Sequence, residues 1–207
     1  MRARGGFRPG LFGAIAVLAS SMALCATVGA AETSGTMRTG ELTSQPIGHY
    51  EFCKVYAGEC SVRSREAPPM RLTRKTWNAI LNINARINAA IRPMSDLDIY
   101  GRDEVWTYPD GVGDCEDYVL LKRHLLMEDG IPASALLITV VRKPDGEGHA
   151  VLTVRTDRGD LVLDNLTSTV KLWSDTGYNF LKRQSTTHSG RWVSIESEAP
   201  VVVGSVR

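Results

Sequence analysis

A lone thiol among acids is the first feature that bears on chemistry. In "GVGDCEDYVLLKRHLLMEDGIP", Cys115 is flanked by Asp114, Glu116 and Asp117. His149 follows in "GHAVLTV" and Asp164 in "LVLDN". A thiol nucleophile needs a base to take its proton, and that base needs an acceptor to orient it. Cys115, His149 and Asp164 supply those three roles in that order. A helix N-terminus favours a thiolate, because its unpaired N–H groups and dipole stabilise negative charge. The acids oppose it. The helix end contributes about 0.3–1 kcal/mol when exposed, and a carboxylate a few ångströms away cancels that. A positive partner is therefore expected. His149 as imidazolium is one candidate, and a calcium ion held by Asp114 and Glu116, with Asp117 as a further ligand, is another. No organic cofactor is indicated.

The elements that must position these residues are legible from periodicity. Residues 115–129 read as a helix buried on most sides, with Tyr118, Val119, Leu120, Leu121, Leu125, Leu126 and Met127 spread around it. Asp114 is placed to cap it, with Asp117 in a capping-box-like position. Gly130 and Pro132 end it. Three strand-like runs follow, "ALLITVVR", "HAVLTVRT" and "DLVLDNL", joined by the turns "KPDGEG" and "DRG". Direct opposition of His149 and Asp164 needs a turn centred between Thr156 and Asp157, whereas the best turn chemistry lies a residue or two later.

Upstream, Trp77, Ile80, Asn84, Ile87 and Ile91 recur at helical spacing after a capping Thr73, and Pro93 marks the end. The asparagines of this helix read as a solvated face. Residues 94–113 form a long connection. Its Asp96, Asp98, Asp103 and Glu104 do not fit a calcium-binding EF-hand loop, because Tyr100 and Thr107 fall where ligands belong. They read as a solvated acidic loop. The chain beyond the meander reads as less regular, with Trp173, Tyr178 and Trp192 as packing residues.

The N-terminal residues 1–31 have the layout of a secretory signal peptide. Arg2, Arg4 and Arg8 precede the apolar stretch "LFGAIAVLASSMALCATVGAA", which ends in small residues. Leu24 before Cys25 argues against a lipid-attachment site. Removing this leader takes three arginines and no acid, so the net charge of +1 becomes −2. With no basic stripe, a nucleic-acid partner is not expected. No second long apolar run follows, so no stable membrane insertion is expected after cleavage. Residues 32–48 read as a flexible N-terminal tail and 49–207 as one domain, whose opening residues 49–70 read as irregular. Cys53 and Cys60, close together in "FCKVYAGEC", fit a short disulfide loop in an oxidising compartment, with two unpaired thiols as the alternative and a metal pair less expected. Cys115 is then the odd thiol. A periplasmic or secreted location follows.

The segments "GDCEDYVLLKRHLL", "GHAVLTV" and "LVLDN", with "WNAILNINARINAAIRPMSD" and "FCKVYAGEC" upstream, resemble the bacterial transglutaminase-like cysteine peptidases. The resemblance implies a papain-like, transglutaminase-like α+β core, with a central helix packed on an antiparallel sheet. It implies a Cys115–His149–Asp164 triad. Members of that family that clip surface adhesins in the periplasm use calcium bound by acids flanking the cysteine, which maps onto Asp114, Glu116 and Asp117. Those members also work with a membrane receptor, for which this sequence shows no surface. The expected function is an exported thiol hydrolase acting on an envelope or surface protein. Two alternatives stand beside it: a transglutaminase-type acyltransferase or deamidase, and a non-catalytic envelope binding module.

Overall fold

Among the described residues the chain forms five α-helices and nine strands. The structure, a computed structural model, describes Met1 and residues 35–196. The signal-peptide reading and the last residues of the chain lie outside the described residues.

Strand β1 (Thr39–Thr43) comes first, followed by helices α1 (Ile47–Val55) and α2 (Ala57–Cys60). Helix α3 (Arg74–Ala90) begins at Thr73, whose hydroxyl accepts from the Thr76 N–H while the Thr76 hydroxyl accepts from the Thr73 N–H. That reciprocal cap satisfies two donors that would otherwise be orphaned. Ile80, Ile83, Asn84 and Ile87 form its buried stripe. Two short bridging strands, β2 (Arg92–Pro93) and β3 (Val112–Gly113), pair in parallel and close the base of the long connection. Helix α4 (Asp96–Tyr100) lies inside that loop, capped by Ser95.

Helix α5 (Cys115–Glu128) is the central helix and packs against α3 and the sheet. The sheet contains β1, then β4 (Leu136–Arg142), β5 (Gly148–Thr156), β6 (Gly159–Leu163), β7 (Lys171–Leu172), β8 (Asn179–Ser185) and β9 (His188–Ile195). Its order is β1-β9-β8-β4-β5-β6-β7, and every neighbouring pair is antiparallel. The α+β core with a central helix on an antiparallel sheet is therefore present. Tyr118, Leu126, Ile80, Leu136, Ile138 and Leu152 are all almost fully buried where helix meets sheet.

Three readings are corrected. The stretch 32–48 is not simply a flexible tail over its described part: β1 pairs with β9, α1 starts at Ile47, and Met37 is buried with its N–H donated to Asp160 Oδ2 at 2.9 Å. Its polar composition hid an edge strand, whose exposed side chains need no apolar pattern. Residues 49–60 are helical rather than irregular. The region beyond the meander supplies β8 and β9, whose polar residues obscured the strand period.

Candidate active site

Cys115 is the first residue of α5, and Asp114 holds the N-cap position in an extended conformation without a side-chain cap bond. The Asp114 carboxylate is thus left for another use. The Cys115 Sγ is half-buried. It accepts from the Ala150 N–H at 3.4 Å and donates to Glu116 Oε2 at 3.0 Å. Burial pushes the thiol well above its ordinary range, and the Glu116 carboxyl beside it adds to that. The helix end does not outweigh a buried acid in direct contact.

His149 lies near the start of β5 and is buried. Its Nε2 bonds Asp164 Oδ1 at 2.9 Å. The β5–β6 register pairs Thr156 with Gly159 and Leu152 with Leu163, so the turn falls one residue later than direct opposition of His149 and Asp164 demands. Asp164 stands just past β6, diagonal to His149, and the diagonal spans the offset. Asp164 is held from every side. Its Oδ1 also accepts from the Leu166 N–H at 3.0 Å, its Oδ2 from the Tyr178 hydroxyl at 2.6 Å, and its carbonyl from Asn88 Nδ2 at 2.8 Å. Burial alone raises the Asp164 carboxyl, but the bonds from His149, Tyr178 and Leu166 outweigh burial and hold it below its ordinary value. With Nε2 tied to Asp164, Nδ1 is the ring nitrogen left to serve a thiol.

Cys115, Gly148 and His149 line one cleft. On one side it continues past Pro46, Ile47, Trp106 and Val140, and on the other past Met94, Lys143 and Leu166. Trp106 packs so closely on Gly48 that a Cβ there would lie 2.2 Å from the indole. Its N–H donates to Glu104 Oε2 at 3.1 Å. Glu104 is the single non-glycine residue with positive φ among the described residues, at 61°.

The acids around the thiol divide. Asp96, Asp114 and Glu116 bring one ligand atom each within 4.8 Å of one another. Asp117 stands outside that group, with its Oδ1 accepting from the Thr107 N–H at 3.0 Å. Asp96 was read as part of a solvated loop, yet it is 2 % exposed. The β2–β3 bridge, with Met94 N–H donating to the Gly113 carbonyl at 3.0 Å, folds it against residues 114–116. Burial raises all three carboxyls, Asp96 to about 6 and Glu116 to about 9, and Asp114 adds further to the rise at Glu116. Asp96 Oδ1 and Asp114 Oδ1 are buried without a hydrogen-bond partner. Crowded, buried, unpaired carboxylate oxygens are the donor set of a hard divalent cation, so these residues fit calcium.

Cys53 and Cys60 form a disulfide. His49 sits beside it: its Nδ1 lies 3.6 Å from Cys53 Sγ and accepts from the Trp192 indole at 3.3 Å. The asparagines of α3 divide: Asn78 and Asn82 are exposed, as read, whereas Asn84 and Asn88 face the protein. Asn84 and Asn88 donate to the carbonyls of 164, 167 and 168, tying α3 to the loop that follows Asp164. Asp96, Asn88 and Tyr178 had no local signal, because each meets the site only through tertiary contact.

Residues 39–200 match the family described as bacterial transglutaminase-like cysteine proteinase, BTLCP, and the chain belongs to that family. It is a transglutaminase-like cysteine peptidase. Among solved structures, the calcium-bound LapG of Legionella pneumophila is similar at 22 % identity and a TM-score of 0.50, over 75 % of this chain and 86 % of that one. An EGTA-treated LapG from the same organism is similar at 21 % identity and a TM-score of 0.50, over 77 % and 87 %. No curated protein sequence matches the chain.

Proposed function

We propose that this chain is an exported endopeptidase that cleaves a protein of the cell envelope through Cys115, His149 and Asp164. The observation that carries the reading is the buried 2.9 Å bond between His149 Nε2 and Asp164 Oδ1, with His149 opening on the cleft that holds Cys115. His149 takes the thiol proton as Cys115 Sγ bonds to the substrate carbonyl carbon. The tetrahedral oxyanion is met by the Cys115 backbone N–H at the helix start. Collapse breaks the C–N bond, and His149 gives its proton to the departing amine. Water then attacks the thioester with His149 as base. The acid product leaves, and the proton returns to the thiol. Asp164 keeps the ring oriented and stabilises its charged form. The cleft runs to both sides of the thiol, which suits a polypeptide passing through rather than a chain end.

Asp96, Asp114 and Glu116 would hold calcium, which supplies positive charge beside a thiol otherwise surrounded by acids. Export is supported by the Cys53–Cys60 disulfide, which persists in oxidising compartments, and no helix among the described residues is long and apolar enough to cross a membrane. An adhesin-like surface protein is the substrate class that the family resemblance suggests.

Cys115→Ala tests the reading. Envelope fragments are compared by mass spectrometry between cells expressing the native chain and the variant. Fragments present only with the native chain, at unchanged melting temperature of the variant, are expected. Identical fragments from both would remove Cys115 from the reaction.

A further inference from the structure

The packing role that sequence gave Tyr178 leaves its hydroxyl unexplained. This residue comes from neither strand of the His149–Asp164 hairpin. It stands just before β8, after a single 3-10 turn at Trp173–Asp175. That turn is braced: the Thr176 hydroxyl donates to the Trp173 carbonyl at 2.8 Å and accepts from the Tyr178 N–H at 3.3 Å. Trp173 stacks edge-on against Phe180 at 5.5 Å. Gly177 adopts φ 74°, a left-handed conformation that glycine accepts without strain. The result is a rigid mount for the phenol.

We propose that Tyr178 is a positioning residue for the Asp164–His149 pair: its hydroxyl fixes the second carboxylate oxygen while its ring walls the imidazole. The proposal rests on the reading of His149 and Asp164 given above. Asp164 has two oxygens. Oδ1 serves His149 at 2.9 Å and the Leu166 N–H at 3.0 Å, and Oδ2 serves the Tyr178 hydroxyl at 2.6 Å. Without that hydroxyl, Oδ2 has no protein donor among the described residues, and only the bonds at Oδ1 resist turning of the carboxylate about its last torsion. Turning would move Oδ1 off Nε2. The Tyr178 ring meets the His149 ring edge-on, with centroids 5.7 Å apart at 71°. It therefore limits both the tilt of the imidazole and the approach of water to the His149–Asp164 bond. A residue that merely filled space would need neither the short hydroxyl bond nor the contact with His149.

The test uses iodoacetamide as the thiol probe and the imidazole N–H proton of His149, seen by NMR, as the spectroscopic signature. Tyr178→Phe keeps the ring and removes the hydroxyl. It should leave the melting temperature within a few degrees, shift or broaden the His149 Nε2–H resonance, and slow alkylation of Cys115 at least threefold. In an Asp164→Asn background, adding Tyr178→Phe should slow alkylation no further, since coupled residues are non-additive. Tyr178→Leu, lacking the ring as well, should slow it beyond Tyr178→Phe. Native alkylation and an unmoved imidazole resonance in Tyr178→Phe would overturn the proposal. So would an equal, additive loss in the Asp164→Asn background. His149→Ala separates the two levels. If it slows alkylation while Tyr178→Phe does not, the role of Tyr178 alone fails. If it leaves alkylation unchanged, the reading of the site beneath it fails.

Discussion

The thiol of Cys115 is surrounded by groups that hold it protonated. Burial is the largest cause, and Glu116, which accepts the thiol's hydrogen bond at 3.0 Å, adds to it. Crowding three buried carboxyls has a stability consequence with a definite sign. Asp96→Asn keeps an acceptor for the Val105 N–H and removes one like charge, so the calcium-free protein should melt at a higher temperature than the native chain. The same change removes a ligand. Calcium should raise the native melting temperature, with a gain of about 2.7 kcal/mol at a free concentration one hundred times Kd, and should raise the variant's little. Calorimetric scans with calcium and with a chelator check both. A variant that responds to calcium as the native chain does would exclude Asp96 as a ligand. Cys115, His149 and Asp164 were legible in the sequence because each carries its chemistry in its own type and stands at an element boundary. Asp96 was not legible, since its closeness to residues 114–116 depends on two-residue strands too short to leave a pattern.

At the scale of elements, α1 is tied to the sheet through one imidazole. His49 is 1 % exposed, packed edge-on against Trp106 at 5.6 Å and Trp192 at 5.3 Å. Burial, with Arg123 adding to it, lowers its pKa to about 3. The unfolded chain binds this proton near 6.5, so between about 6.5 and about 3 the unfolded state holds a proton that the folded state refuses. Stability is present above that window and is lost as pH falls through it, by about 1.4 kcal/mol per pH unit from this group. Urea unfolding across the window should show a shallower pH slope for His49→Gln than for the native chain. Equal slopes would mean that the ring is protonated in place. The helices α3 and α5 and the meander β4–β6 were readable because their apolar periods are clear. Strand β1 and helices α1 and α2 were not, because a polar edge strand and two short helices pinned by a disulfide carry little period of their own.

Across the whole molecule, one path links sequence to chemistry. The buried face of α5 sets the thiol at the mouth of the cleft, the β5–β6 hairpin sets His149 on Asp164, and the segment leading into β8 supplies Tyr178. The antiparallel sheet is the frame that brings residues 115, 149, 164 and 178 together. Fold class was legible because one helical run, 115–128, gives way to three consecutive strand-like runs between 136 and 163. The outer strands and the acidic pocket were not, because tertiary pairing rather than local pattern creates them. The central claim is that Cys115 acts as a nucleophile with His149 as its base. Its most direct test is the rate at which a peptidyl vinyl sulfone bonds to Cys115, followed by intact mass and peptide mapping in calcium-containing buffer at neutral pH. The native chain should form the adduct at Cys115 at least tenfold faster than His149→Ala. Equal rates, or no adduct at Cys115 in the folded native chain, would contradict the account.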